Sequence, residues 1–173
     1  MRISSVVFLT AILMAMPAPA QIAFPLFSGG RGGDDRGGRE LFAMVLIDTD
    51  GLACSPCLSS LLEFCQAVPP DVQEERIIGV LTFRDGLEPD SRRARIARTR
   101  WTGYSRANDI RFPVAVDETH AFNRLSEEGT TVLLFDPSTG YLKRWTAPFR
   151  PEVVREITRY LLNPESPIME SRP

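Results

Sequence analysis

Residues Val45 to Cys57 read VLIDTDGLACSPC: an apolar run closing on an acid, a short loop, and two cysteines separated by two residues. The run belongs to a continuous apolar stretch, Leu41–Ile47, the pattern of a strand buried on both faces. Beyond the cysteines, Leu58, Leu61, Leu62 and Cys65 recur at the i, i+3, i+4, i+7 spacing of a helical core stripe, which predicts a helix from Pro56 to about Val68. Cys54 and Cys57 therefore fall where a strand gives way to a helix. A helix N-terminus presents unpaired N–H groups and partial positive charge, which stabilise a thiolate at Cys54. Cys57 follows one turn later on the same face, so the two sulfurs can close into a disulfide or open to a dithiol. Pro56 sits in the first turn, where its missing N–H costs nothing. A reactive pair is expected here rather than a structural one.

Outward from this segment the periods alternate. Pro69-Pro70 stops the first helix, and Arg76–Phe83 (RIIGVLTF) reads as a second apolar strand. A helix is predicted from Pro89 to about Tyr104, with Ala94, Ala97, Trp101 and Tyr104 on one face and arginines on the other. Phe112–Val116 reads as a short third strand, and Asp117 to about Leu125 as a short helix. Thr131–Phe135 and Tyr141–Thr146 are strands joined by the turn residues Asp136 to Gly140. A last helix follows Pro151, with Val153, Val154, Ile157, Tyr160 and Leu161 toward the core, and ends at Asn163-Pro164. This order predicts an α/β fold with one hairpin near its end.

With this order, VLIDTDGLACSPC and the hairpin piece TTVLLFDPSTG, the chain resembles thioredoxin-fold proteins, most of all the exported TlpA-like thiol–disulfide oxidoreductases. The resemblance covers nearly all of the predicted folded part. It implies a three-layer fold: a mixed central sheet, flanking helices, and a C-terminal β-hairpin plus helix. It also implies that Cys54 is the attacking thiol and Cys57 the resolving thiol. Asp48, six residues before Cys54, matches the family's buried acid that moves a proton to or from the second cysteine; burial raises a carboxyl's pKa into a useful range. Ser55, Pro56, Gly129 and Thr130 are implied substrate contacts, and no cofactor or resident metal is implied. Two positions depart from the family pattern. Ala53 stands where tryptophan is usual, and Thr130 stands where a cis-proline faces the dithiol. A cis bond before a non-proline residue costs about 2.5–4 kcal/mol, so a trans backbone is expected at Thr130.

The chain's ends read differently. Residues 1–20 read as a signal peptide: Arg2, an apolar stretch from Val6 to Met14, and the small-residue site Ala18-Pro19-Ala20. An uncleaved membrane anchor is the alternative. Residues 21–39 read as a flexible linker, since Phe27–Arg39 (FSGGRGGDDRGGR) has nothing to bury. Residues 40–162 form the expected domain, and 163–173 a disordered tail. Export places the dithiol in the periplasm or another extracytoplasmic space, where cysteine state is a variable. Membrane proximity through leader or linker fits that location, and a monomer is the favoured state.

Composition adds little. A 43% hydrophobic and 24% charged chain is that of an ordinary globular protein, and a net charge of −2 points to no partner. Of twenty basic residues only Lys143 is lysine, which base composition of the genome accounts for. The run Arg92, Arg93, Arg95, Arg98, Arg100 reads as a solvated helix face, with an acidic partner as the sharper alternative and nucleic acid disfavoured by export. Cys65 lies in the core stripe and reads as a buried small hydrophobe. His120, the single histidine, could join Cys54 and Cys57 as a metal ligand, although a closed zinc site wants four donors.

Three functions follow: a cell-envelope thiol–disulfide oxidoreductase acting on protein thiols or disulfides with an upstream redox partner, a metal- or haem-handling protein using the dithiol as ligands, and a redox-inactive interaction module. A peroxidase would want threonine three residues before its cysteine, where Gly51 stands.

Overall fold

The computed structural model describes residues 40–49, 55–83, 91–118, 120–122, 125–126, 129–136 and 140–165. The elements run β1 (Phe42–Asp48), α1 (Ser55–Ala67), α2 (Pro70–Arg76), β2 (Ile77–Thr82), α3 (Arg92–Ala107), β3 (Val114–Val116), β4 (Thr130–Asp136), β5 (Gly140–Thr146) and α4 (Pro151–Leu162). The expected leader, linker and the end of the tail, from residue 166 on, lie outside the described residues. So does Cys54.

The five strands form one mixed sheet in the order β3-β2-β1-β4-β5. β1, β2 and β3 are parallel neighbours, while β4 is antiparallel to both β1 and β5. Parallel neighbours need crossovers, and these are right-handed in nearly all proteins. Because β1, β2 and β3 progress in one direction across the sheet, both crossovers lie on the same face. Residues of α1, α3 and α4 accordingly share one large core with Ala43, Val45 and Ile47 of β1. The alternate residues Met44 and Leu46 point the other way, into a smaller cluster with Ile78, Val80, Phe122, Leu133 and Phe135.

Two differences from the sequence expectation have local causes. Pro69-Pro70 stops α1 but also starts α2, since proline suits the N-cap and first helical positions. The buried Gln73 of α2 explains why this short helix is held. Its Nε2 donates to the carbonyls of Cys65 (2.7 Å) and Val68 (3.0 Å), supplying partners to the end of α1. Its Oε1 accepts from the Arg111 N–H at 3.1 Å. The second difference is the segment after β3, which contains turns rather than a helix among its described residues. The Asp117 carboxylate accepts from the N–H groups of Ala121 (3.1 Å) and Phe122 (2.9 Å), holding a tight turn that sets Phe122 against the sheet.

The final hairpin is fastened to α4 by charge. Glu156 accepts from Lys143 Nζ (2.7 Å), Trp145 Nε1 (3.1 Å) and the Tyr160 hydroxyl (3.3 Å). Partial burial works to raise the Glu156 pKa, but Lys143, with Trp145 and Tyr160, outweighs it and holds the carboxyl below its ordinary value. A depressed carboxyl stabilises the fold above its unfolded value of about 4.3 and loses that contribution as pH falls through the lower folded value. Glu156→Gln is expected to cost about 1–3 kcal/mol at pH 7 in urea unfolding, as for hydrogen bonds to a charged group. The stability difference from wild type should close on acidification through that window. A gap that persists unchanged in acid would show that the charge does not matter.

Candidate active site

Because α1 begins at Ser55, Cys57 lies in its first turn, and the helix turns its side chain into the large core, only 6% exposed, beside Leu61 and Phe64. Pro56 is exposed in the same turn. Cys54, Gly51, Ala53 and the side chain of Ser55 lie outside the described residues.

The segment entering β4 closes over Cys57. Gly129 has φ +108, a conformation that side chains rarely adopt. A Cβ at that position would stand 2.9 Å from Cys57 Sγ, so the glycine backbone packs directly on the sulfur. The Gly129 carbonyl accepts from the Asp48 N–H at 3.1 Å, which ties the segment to the end of β1. Thr130, 3% exposed, opens β4 opposite Ile47 and so shares the sheet face of Cys57. The Gly129–Thr130 peptide is trans, and the cis peptide among the described residues is Ala147–Pro148.

A third segment was not anticipated. The Ala147 N–H donates to the Thr130 carbonyl (2.8 Å), and the Phe149 N–H donates to the Ser60 hydroxyl of α1 (3.1 Å). Ala147 to Phe149 therefore bridges β4 and α1 beside Cys57. Its sequence signal was the hairpin register: with Thr131 opposite Thr146, Thr130 must meet Ala147.

Asp48 is 2% exposed at the end of β1. By strand alternation its Cβ leaves the sheet on the face of Met44 and Leu46. Its register partner Thr82 lies on that same face, where the Thr82 and Ser126 hydroxyls meet at 2.8 Å. The Asp48 N–H, through the Gly129 carbonyl, ties the end of β1 to the segment packed on Cys57.

Cys65 sits in the core at 4% exposure, and burial pushes its thiol up to about 12, offset in part by a backbone hydrogen bond. Burial, and then the neighbouring Cys65, also raise the Tyr104 phenol. Trp101 and Trp145 are both core residues. His120 occupies a left-handed position (φ 57) after β3. Among the described residues no three of His, Cys, Asp and Glu gather as metal donors, and no helix is long and apolar enough to cross a membrane.

A mixed sheet in this order, a cysteine in the first turn of the helix after its central strand, and a closing hairpin and helix decide the architecture. The fold is thioredoxin-like. No protein-family model matches the sequence, and no curated protein matches it. Similar solved structures include the following three. A thioredoxin-family thiol:disulfide interchange protein from Chlorobium tepidum TLS is 16% identical over 72% of this chain and 81% of its own, with a TM-score of 0.46. An exposed lipoprotein thioredoxin from Streptococcus pneumoniae strain TIGR4 is 13% identical over 69% of this chain and 84% of its own, at 0.47. An uncharacterized thioredoxin-like protein from Porphyromonas gingivalis is 17% identical over 70% of this chain and 77% of its own, at 0.44.

Two glycines test the packing on Cys57. At Gly140 (φ +90) an added Cβ meets nothing within 4 Å, so Gly140→Ala carries backbone strain alone. Gly129→Ala adds the clash with the sulfur and should cost about 1–3 kcal/mol more in thermal or urea unfolding, the usual range for overpacking. Equal losses at the two positions would contradict the close contact. Cys65, with its thiol near 12, should resist iodoacetamide at pH 8.5 in the folded protein and react on denaturation. Rapid native alkylation at Cys65 would refute its burial.

Proposed function

We propose that this protein is a thiol–disulfide oxidoreductase of the cell envelope, of the exported TlpA-like kind, acting on protein thiols and disulfides through Cys54 and Cys57. The observation that carries this reading is the setting of Cys57: buried in the first turn of α1, with the Gly129 backbone against its sulfur. A second thiol so enclosed is shielded from external disulfides, and its accessible partner is the neighbouring cysteine of the same motif. That is the requirement for a resolving thiol.

In the reducing direction, the Cys54 thiolate attacks one sulfur of a substrate disulfide. An S–S bond forms between Cys54 and the substrate, the substrate S–S bond breaks, and the first substrate thiolate leaves and takes up a proton. Cys57 then gives up its proton, and its thiolate attacks the Cys54 sulfur. The Cys54–Cys57 disulfide forms, the mixed disulfide breaks, and the second substrate thiolate departs and is protonated. The substrate gains two electrons and the dithiol loses them. An upstream dithiol partner returns the pair to the reduced state, and the same steps run backwards oxidise a substrate dithiol.

The chain's own groups support these steps at stated places. The α1 N-terminus favours the Cys54 thiolate. Gly129, held by the Asp48 N–H, lies against the Cys57 sulfur, and the buried Asp48 carboxylate is assigned the proton that Cys57 gives up. Thr130 and the Ala147–Phe149 segment border the same face, and the substrate chain is assigned to the exposed residues beside them, Pro56 and Pro148. Export, from the reading of residues 1–20, supplies the location.

Cys57→Ser leaves the mixed disulfide without a resolving thiol. Expressed in its own compartment, this variant should accumulate reductant-sensitive protein adducts on non-reducing gels, and the additional change Cys54→Ser should abolish them. Absence of adducts from Cys57→Ser, with metal bound to the purified wild-type protein, would favour the ligand-handling alternative instead.

A further inference from the structure

Ser60 interrupts the buried side of α1. It is 6% exposed, in the same helix as the core residues Cys57, Leu61 and Phe64. Alanine at such a place would favour the helix more, and a hydroxyl is costly to bury unless it is bonded. The partner of Ser60 comes from 89 residues further along the chain: the Phe149 N–H donates to its Oγ at 3.1 Å. Ser60 follows Cys57 by three residues, so the two side chains share one side of the helix, about 4.5 Å apart along its axis. The hydroxyl thus ties a distant segment to the turn that carries the cysteine.

That segment is the link between β5 and α4. Pro148 has no N–H, so Ala147 and Phe149 carry the two donors of the link's middle. The Ala147 N–H goes to the Thr130 carbonyl of β4 at 2.8 Å, a main-chain bond that no side chain supplies. The Phe149 N–H goes to Ser60. Ala147 and Phe149 are buried in the large core, whereas Pro148 between them is exposed. The link therefore turns its middle residue outward, held on one side by the sheet and on the other by the helix of Cys57. Without the Ser60 hydroxyl, the Phe149 N–H is left buried and unpaired, which favours a shift of the link that turns this N–H toward water. Pro148 shifts with it.

We propose that Ser60 is a positioning residue for substrate binding: its hydroxyl holds Pro148 where an extended substrate chain lies across Pro148 and Pro56. This role rests on the oxidoreductase reading and on its assignment of those two prolines to the substrate chain. Ser60 is then the side chain on which the geometry of that surface depends. It exchanges no proton or electron with the substrate. Its effect falls on chains long enough to reach Pro148, and on their binding rather than on the transfer of electrons. A disulfide too small to touch the link does not draw on it.

The test uses the reduced full chain and two disulfide probes with the same coloured leaving group, nitrothiobenzoate. One joins it to the central cysteine of an extended peptide, the other to N-acetylcysteine amide. The Cys54 thiolate attacks the cysteine sulfur of either probe; a new S–S bond forms to Cys54, the probe's S–S bond breaks, and the coloured thiolate leaves. In single-turnover measurements on Ser60→Ala, the second-order rate for the peptide divided by that for the small probe should fall about tenfold, the scale of one lost hydrogen bond. The fall should come from a higher half-saturating peptide concentration, with the limiting rate kept. Ser60→Thr, which retains the hydroxyl, should restore most of the ratio. A ratio of two rates within one preparation does not depend on the fraction folded. An unchanged ratio in Ser60→Ala, or a loss confined to the limiting rate, would overturn the proposal. Amide exchange on the wild-type chain needs no variant: the Phe149 N–H should be protected like the Ala147 N–H, and free exchange at Phe149 would overturn the clamp. Colour released from both probes with a ratio indifferent to Ser60 overturns the positioning role alone. No release from either probe by the wild-type chain overturns the oxidoreductase reading as well.

Discussion

Strand β1 has to be buried on both faces, and much of the structure follows from that requirement. Ala43, Val45 and Ile47 need cover on one side, Met44 and Leu46 on the other. One side is supplied by α1 and α3, because successive right-handed crossovers keep moving in one direction, and by α4, which follows the hairpin. The other is supplied by the segment that follows β3, pinned by the Asp117 carboxylate. β1 also takes β2 as a parallel neighbour and β4 as an antiparallel one. The segment that carries the two cysteines follows the end of this strand in sequence.

The candidate site is assembled from parts distant in sequence. Gly129 can lie against the Cys57 sulfur because it lacks a Cβ and because the Asp48 N–H holds its carbonyl. Ala147 and Phe149 complete the frame through main-chain N–H donors, so their side chains carry little of the message. A frame built mostly from backbone tolerates sequence change while keeping geometry. Thr130 in place of the family's proline fits that view: its strand pairing with Ile47 and the Ala147 N–H fix it without a proline ring.

Helix α3 combines favourable packing with an unfavourable placement of charge. Its core stripe, Ala94, Ala97 and Trp101, is well buried, and Ser91 caps its N-terminus by accepting from the Ala94 N–H. Its first turn nevertheless carries two arginines where the dipole disfavours them. The hairpin shows the opposite economy, with Lys143, Trp145 and Tyr160 all satisfied by one carboxylate, Glu156.

Most of the architecture was legible in the sequence, because hydrophobic period reports burial directly. The apolar run of β1, the stripe of α1, the two hairpin strands and the α4 face all correspond to observed elements, with ends shifted by a few residues. The start of α2 was hidden because a proline pair signals a stop as strongly as a start. The turn segment after β3 was hidden because one buried aspartate, not a periodic pattern, shapes it. At the site, the spacing of Cys57 from Cys54 and its place at a helix start came from sequence alone. Spacing counts residues but does not choose a sheet face. Asp48 was singled out by its distance from Cys54, and only the assembled sheet showed that its N–H holds the Gly129 carbonyl. Likewise, Gly129 and Ala147 were brought to Cys57 by the β1–β4 and β4–β5 registers, which depend on contacts between segments rather than on any local pattern.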